Sequence, residues 1–437
     1  MLHALSAWQE AGNRTAGILL AACLAGCAGL PEGVLTPLET RVAGATDLPI
    51  LVATTREPSS DPAVLFTGER GPDIDLTEIV VSIPPEDNRT PGEVQWPRKL
   101  PPDPAKDFAT LSVSAVPDVA AAERWFRRNR RDSRRMLIFV HGFNNRYEDA
   151  VYRFAQIVHD SHMDATPVLF TWPSRGSIFA YGYDKESTNY SRSALETVLA
   201  AAAKNPDVGE ITVLAHSMGT WLTVESLRQM AIRNGGIPGK IENVILAAPD
   251  LDVDVFRQQL ADMGPKRPAF TVFVSRDDRA LQVSRRISGN VDRLGAIDIN
   301  DPRYVALLER EGITVLDLTA LRAGDRLNHS KFAQSPEAVR ILGERLVAGQ
   351  TVTDQNIGLG EQLGAAAIGV TNTVGSAASL AVSVPIAIVD PKTRESLDEQ
   401  AGRFGRNLGS AMTGMVPVAT TSKRRCGPGR GECESPR

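Results

Sequence analysis

Cysteine is almost missing from this chain. Its 437 residues hold four, Cys23, Cys27, Cys426 and Cys433, and none falls between residues 28 and 425. A cysteine nucleophile, a disulfide and a cysteine–histidine metal centre are therefore excluded from the central body. Aromatic residues make up only 5%, too few to suggest a base-stacking or carbohydrate-binding surface. A formal net charge of −4 gives no electrostatic case for nucleic acid. The longest stretch without charge, Gln362–Val389, contains Thr371, Asn372, Thr373, Ser376, Ser379, Ser383 and Pro385, a polar content that argues against a bilayer span. What is present, 42% apolar and 23% charged residues, is the balance of a globular protein with a real core.

The first residues read as an address. Ala16–Leu24 is apolar, follows Arg14 and precedes Ala25-Gly26-Cys27. It is too short to cross a bilayer but suits a secretory signal, although Glu10 is unusual in the leading region. Leu24-Ala25-Gly26-Cys27 resembles a bacterial lipobox. The resemblance implies cleavage before Cys27, lipidation of that cysteine, and a protein held at the cell envelope, on the periplasmic side of an outer membrane. Cys426 and Cys433 would then be the remaining thiols, able to pair in an oxidising compartment. The expected organisation is a signal peptide over 1–26, a Pro- and Gly-rich tether over 27–47, a folded domain over 48–349, and a Gly/Ala-rich tail over 350–437 without assigned function.

Residues 48–117 carry short β-like runs (Ile50–Thr54, Glu78–Pro84 and Phe108–Val116) among loops rich in Pro, Asp and Gly. They read as antiparallel or extended segments at one sheet edge and carry no assigned chemistry. The arginine-dense stretch Val119–Arg135 reads as a solvated helix face, with an anionic-lipid contact as the second reading.

From Met136 the pattern alternates. Short apolar runs at Met136–Val140, Pro167–Thr171, Ile211–Leu214, Val244–Ala248, Phe270–Val274 and Ile313–Leu318 are separated by segments with helical spacing, among them Tyr147–His159, Ser191–Ala203 and Met218–Arg233. This predicts an α/β fold, a mostly parallel central sheet with helices on both faces. In such sheets reactive groups collect just past the carboxyl ends of the strands. The third run ends in Ala215-His216-Ser217-Met218-Gly219. A strand-to-helix turn with small residues two before and two after a serine lifts its hydroxyl above the sheet, here with alanine where glycine is usual. Among the six histidines, only His329 sits in a loop after a late strand, which makes it the candidate base for Ser217. The acid stays open. The candidates are Asp278, its neighbour Asp277, and Asp250 or Asp252 after the Val244–Ala248 run. The long segment Trp172–Tyr190 reads as a loop bordering the pocket.

Val52-Ala53-Thr54-Thr55-Arg56, His141-Gly142-Phe143-Asn144, Phe170-Thr171-Trp172-Pro173-Ser174, Ala215–Gly219 and Ala247-Ala248-Pro249-Asp250 together resemble an uncharacterised, esterase- or lipase-like bacterial branch of the α/β-hydrolases over about residues 48–345. The resemblance implies the nucleophile–acid–base order Ser217, Asp278, His329, and an oxyanion hole built from the Phe143 and Met218 amides. It implies a small ester, thioester or lipid-like substrate, with no metal or organic cofactor. A lipid-tethered binding or scaffold protein that keeps the fold without turnover is the competing expectation.

Overall fold

The computed structural model describes residues 30–322 and 324–346. The expected signal peptide, Cys27, and the tail with Cys426 and Cys433 lie outside the described residues. Nine strands form one sheet in the order β3-β2-β1-β5-β4-β6-β7-β8-β9. Strand β2 (Phe66–Ile83) pairs antiparallel with both β1 (Thr46–Pro58) and β3 (Ala109–Ala115). From β1 onward the pairing is parallel, through β5 (Thr166–Thr171), β4 (Arg135–Val140), β6 (Glu210–His216), β7 (Ile241–Ala247), β8 (Ala269–Val274) and β9 (Thr314–Asp317).

The central strands read as unbroken apolar runs because both of their faces are covered. In β4, Met136, Ile138 and Val140 enter one core, while Leu137 and Phe139 enter the other. The first core receives α1 (Val119–Asn129), α3 (Tyr181–Lys204), α4 (Met218–Asn234) and α5 (Val253–Met263) through Trp125, Leu195, Leu222 and Phe256. The second receives α2 (Tyr147–Asp160) and α9 (Pro336–Leu346) through Phe154 and Ile341. The remaining helices are α6 (Arg279–Ile287), α7 (Pro302–Glu311) and the single turn α8 (Lys331–Gln334). From β4 the chain winds outward to β5, then crosses back to β6 on the other side. That reversal opens a crevice at the carboxyl ends of β4 and β6, where ligands of such sheets bind.

Two expectations are corrected. The segment expected as a tether is packed over its described part: Val34 and Leu35 are buried, Tyr152 Oη donates to Val34 O at 2.8 Å, and Leu38 N–H donates to Thr110 O at 2.8 Å. Its proline and glycine content reflects a covering strap without regular structure. The expected loop Trp172–Tyr190 is mostly helix, since α3 begins at Tyr181. Its first turns bury Asp184, Ser187, Thr188 and Ser191 instead of apolar residues, so no hydrophobic period marks them. Asp184 accepts from Ser174 Oγ at 2.5 Å and Arg175 N–H at 3.1 Å, and Ser191 Oγ lies 2.8 Å from Thr55 Oγ1. Hydrogen bonds do there what leucines do elsewhere. Among the described residues, no helix is long and apolar enough to cross a membrane.

Candidate active site

Ser217 stands between β6 and α4 with φ 52° and ψ −124°. This positive-φ conformation is one that L residues rarely adopt. It is held on both sides: Ser217 N–H donates to Ala247 O at 3.0 Å, and Ser217 O accepts from Asp250 N–H at 3.3 Å and Thr220 Oγ1 at 2.6 Å. Ala215, the departure from glycine, turns its methyl into the first core, so it does not crowd the turn. Gly219 is where room is needed. A Cβ there would stand 2.2 Å from His141 O. Gly142 is also tight: a Cβ there would stand 2.8 Å from Ser217 Cβ and 2.8 Å from His216 Nδ1. The loop after β4 therefore rests directly on the serine. Met218 opens α4, where an N–H has no intrahelical acceptor, and Phe143 N–H has no acceptor among the described residues.

His329 reaches this point from the loop after β9. Asn328 takes a left-handed turn at φ 57°. Asp325 then receives the N–H groups of His329 at 2.9 Å and Ser330 at 3.3 Å. The His329 ring lies 4.8 Å from that of His216, whose Nε2 is 3.2 Å from His329 O. A carbonyl can only accept, so His216 carries its proton on Nε2. Burial, aided by the nearby His329, holds it neutral, well below its ordinary pKa.

The structure separates the candidate acids. Asp278 Oδ2 lies 2.7 Å from His329 Nδ1, with the carboxylate fully buried. Its other oxygen accepts from Leu281 N–H at 2.9 Å and caps α6. Burial works against an imidazolium at His329, but Asp278 outweighs it, with Asp250 and Asp325 adding, and the pKa is raised. In the neutral state the Nδ1 proton points to Asp278, leaving Nε2 as a base. Asp277 turns away to Lys331 Nζ at 2.7 Å, Ser275 Oγ at 2.5 Å and Asn328 Nδ2 at 2.9 Å. Asp250 is taken up by Tyr181 Oη at 3.0 Å, Ser284 Oγ at 2.5 Å and Arg293 Nε at 3.4 Å. Asp252 caps α5 through Asp254 and Val255 N–H.

Below the serine lies an element without assigned chemistry in the sequence. Arg56, on β1, is wholly buried. It donates to Thr171 Oγ1 at 3.0 Å, Ser174 O at 2.9 Å and Asn145 O at 2.8 Å, tying together the loops after β4 and β5. Burial lowers its pKa to about 10. His141 Nε2 faces two donors, Trp172 N–H at 3.1 Å and Arg56 Nη2 at 3.4 Å, so its proton sits on Nδ1 and donates to Gly142 O at 2.8 Å. Burial and Arg56 push this imidazole down to about 3. It is a neutral spacer that stacks on Trp172. The buried arginine had one sequence signal, its place in Val52–Arg56, but no periodicity reveals that a charge lies beneath a sheet edge.

A family model described as an alpha/beta hydrolase of unknown function (DUF900) matches residues 118–345, just over half of the chain. The chain belongs to this alpha/beta hydrolase family. The sheet order and the parallel core fit it, and the fold class is that expected from the alternating pattern. A search of curated proteins returned no match. Among solved structures, a lipase-esterase related protein from Clostridium acetobutylicum is 10% identical with a TM-score of 0.29, over 49% of this chain and 94% of that one. An esterase from Pyrobaculum calidifontis is 13% identical with a TM-score of 0.28, over 51% and 77%. Carboxyl esterase 2 from Tuber melanosporum is 10% identical with a TM-score of 0.31, over 76% and 98%. Membership gives the alpha/beta hydrolase fold, in a family described as of unknown function; what chemistry it supports is a matter for the site.

Proposed function

We propose that this hydrolase cleaves a carboxylic ester or thioester through an acyl-enzyme on Ser217. The observation that carries the reading is the buried 2.7 Å contact of Asp278 with His329 Nδ1, which leaves Nε2 free on a loop that meets His216, the neighbour of the strained Ser217. Ser217 Oγ attacks the carbonyl carbon while its proton passes to His329 Nε2. The carbonyl π pair moves onto oxygen, and the N–H groups of Phe143 and Met218 stabilise that oxyanion. Collapse expels the alcohol or thiol, which takes the proton from His329. Water, deprotonated by His329, then releases the acid and restores Ser217. Asp278 holds the imidazole tautomer and stabilises the imidazolium without itself being protonated.

A fluorophosphonate probe tests this. The wild type should be labelled at Ser217, Ser217→Ala should not, and His329→Ala should lose more than roughly a thousandfold in labelling rate. A folded wild type that resists the probe would instead favour a tethered binding protein without turnover. For location, the lipobox-like Leu24–Cys27 supports a lipid anchor on Cys27, within the cell envelope and facing the periplasm. Fractionation should find the wild type with membranes and Cys27→Ser in the soluble periplasmic fraction; unchanged membrane association of Cys27→Ser would refute the anchor.

A further inference from the structure

Beside Ser217 lies a charged cluster that the acyl-transfer steps do not use. Tyr181, on the first turn of α3, meets the Phe143 ring edge-on at 5.4 Å and donates to Asp250 Oδ2. The Asp250 amide in turn donates to Ser217 O. One turn further along α3, Lys185 places Nζ 4.1 Å over the ring of Trp221. Trp221 stands one helical turn after Ser217 on α4, its indole N–H fixed on Asn189 Oδ1 at 3.0 Å. From the opposite side comes Arg293, only 7% exposed, on a segment pinned by Leu294 N–H to Leu251 O at 2.8 Å and Gly295 N–H to Pro249 O at 3.0 Å.

The cations in this cluster are incompletely paired. Arg293 Nε lies 3.4 Å from Asp250 Oδ1 but is buried without a hydrogen-bond partner. Asp250 already accepts from the Tyr181 and Ser284 hydroxyls. Lys185 forms no ion pair or hydrogen bond among the described residues; its ring contact is the Trp221 face. Asp250 and the adjacent Glu186 act on Lys185 through space without forming an ion pair with it, and Arg293 Nε keeps an unused N–H. Burial draws the Lys185 ammonium down to about 8, with Asp250 and Glu186 opposing and Arg293 adding to the fall. Leaving a half-buried cation unpaired beside a second one is costly unless an anion completes the set. Arg293 sits on a pinned segment and Lys185 carries a point charge over a flat aromatic face; Arg293 meets Asp250, whose amide donates to Ser217 O, and Trp221 follows Thr220, whose hydroxyl donates to the same carbonyl.

We propose that Lys185 and Arg293 form an anion subsite beside the nucleophile, so that the ester this enzyme cleaves carries a carboxylate or similar negative group. This rests on the hydrolase reading of Ser217 and names its substrate class. Tyr181 and Asp250 position the subsite: the carboxylate holds Arg293 in place, and the two hydroxyls fix the carboxylate while Arg293 Nε keeps an unused N–H.

The test compares the para-nitrophenyl half-ester of glutaric acid with para-nitrophenyl valerate, which places the anion on the acyl side. para-Carboxyphenyl valerate against phenyl valerate places it on the leaving group. The wild type should favour the anionic member of at least one pair about tenfold or more, expressed in KM. Lys185→Met, which keeps the stem over Trp221, and Arg293→Met should each cut that preference ratio by about ten- to hundredfold. Lys185→Arg should restore much of it. Thermal melts verify that the variants are folded. No anionic preference in either pair, or a preference that survives both methionine variants, would overturn the subsite. The hydrolase reading fails separately, by absent fluorophosphonate labelling. Calorimetric titration of glutarate into Ser217→Ala reads the subsite without turnover: binding that Lys185→Met in the same background abolishes supports it, and no binding counts against it.

Discussion

At the scale of single residues, the neighbouring carboxylates Asp277 and Asp278 carry different duties although the chain offers them side by side. Asp278 is fully buried against His329, whereas Asp277 is 42% exposed and neutralises the buried ammonium of Lys331. Asp278→Asn should lower kcat by roughly 10²- to 10⁴-fold, because an amide can present its NH₂ to Nδ1 and favour the wrong tautomer. The kcat/KM profile of the wild type should rise with pH through a value above the ordinary 6.5 of histidine, since a protonated His329 cannot take the serine proton and Asp278 favours that protonated form. In Asp278→Asn the acid limb should move to lower pH. Asp277→Asn should instead cost about 1–3 kcal/mol of stability by weakening the pairing of Lys331, with kcat changed far less than in Asp278→Asn. Urea denaturation and steady-state rates on both variants check the division; equal losses of kcat would contradict it. From the sequence, the elbow serine, the late-loop histidine and a short list of acids could be read, because each follows a strand end. Which carboxylate meets the imidazole could not, since a one-residue choice depends on how α6 is capped.

At the scale of elements, the strand–turn–helix of β6 and α4 is packed more tightly than its alternation of apolar and polar residues suggests. Gly219 lets α4 approach the backbone of β4 so closely that a methyl would sit 2.2 Å from His141 O and 2.8 Å from Val140 O. These are backbone atoms of a central strand and cannot yield cheaply. Gly219→Ala should therefore cost more than about 3 kcal/mol, or prevent folding. Gly182→Ala, in α3 where an added methyl meets nothing within 4 Å, should be neutral or stabilising by about 0.5–1 kcal/mol. Denaturation midpoints of the two variants are the measurement, and a tolerant Gly219 would contradict the close approach. The same packing logic sets what was legible. The parallel strands announced themselves because they are buried on both faces. The first half of α3 did not, because it buries serine, threonine and aspartate, and neither did the strap containing Val34 and Leu35, whose two anchors are isolated among prolines and glycines.

At the scale of the whole molecule, the family match begins at residue 118, yet three of the nine strands precede it. Those strands belong to the same sheet, and Arg56 on β1 binds the loops that border Ser217. The site is thus assembled from the entire described chain. Ser217 follows β6 near the centre of the sheet, Asp278 and His329 follow β8 and β9 at one side, and Arg56 sits on β1 at the other. The parallel seam between β1 and β5 joins segments far apart along the chain, as the 2.9 Å contact of Thr54 with Thr171 illustrates across 117 positions. This has a consequence in time. During synthesis β1 can fold back on β2 as a local hairpin, but its other edge stays unsatisfied until β5 has emerged. Long-range parallel pairing of this kind is slow to nucleate, and an open edge carrying Leu51, Val52 and Ala53 is a template for association with other chains. The interval between the making of β1 and the arrival of β5 is therefore when this protein most needs shielding from its own kind.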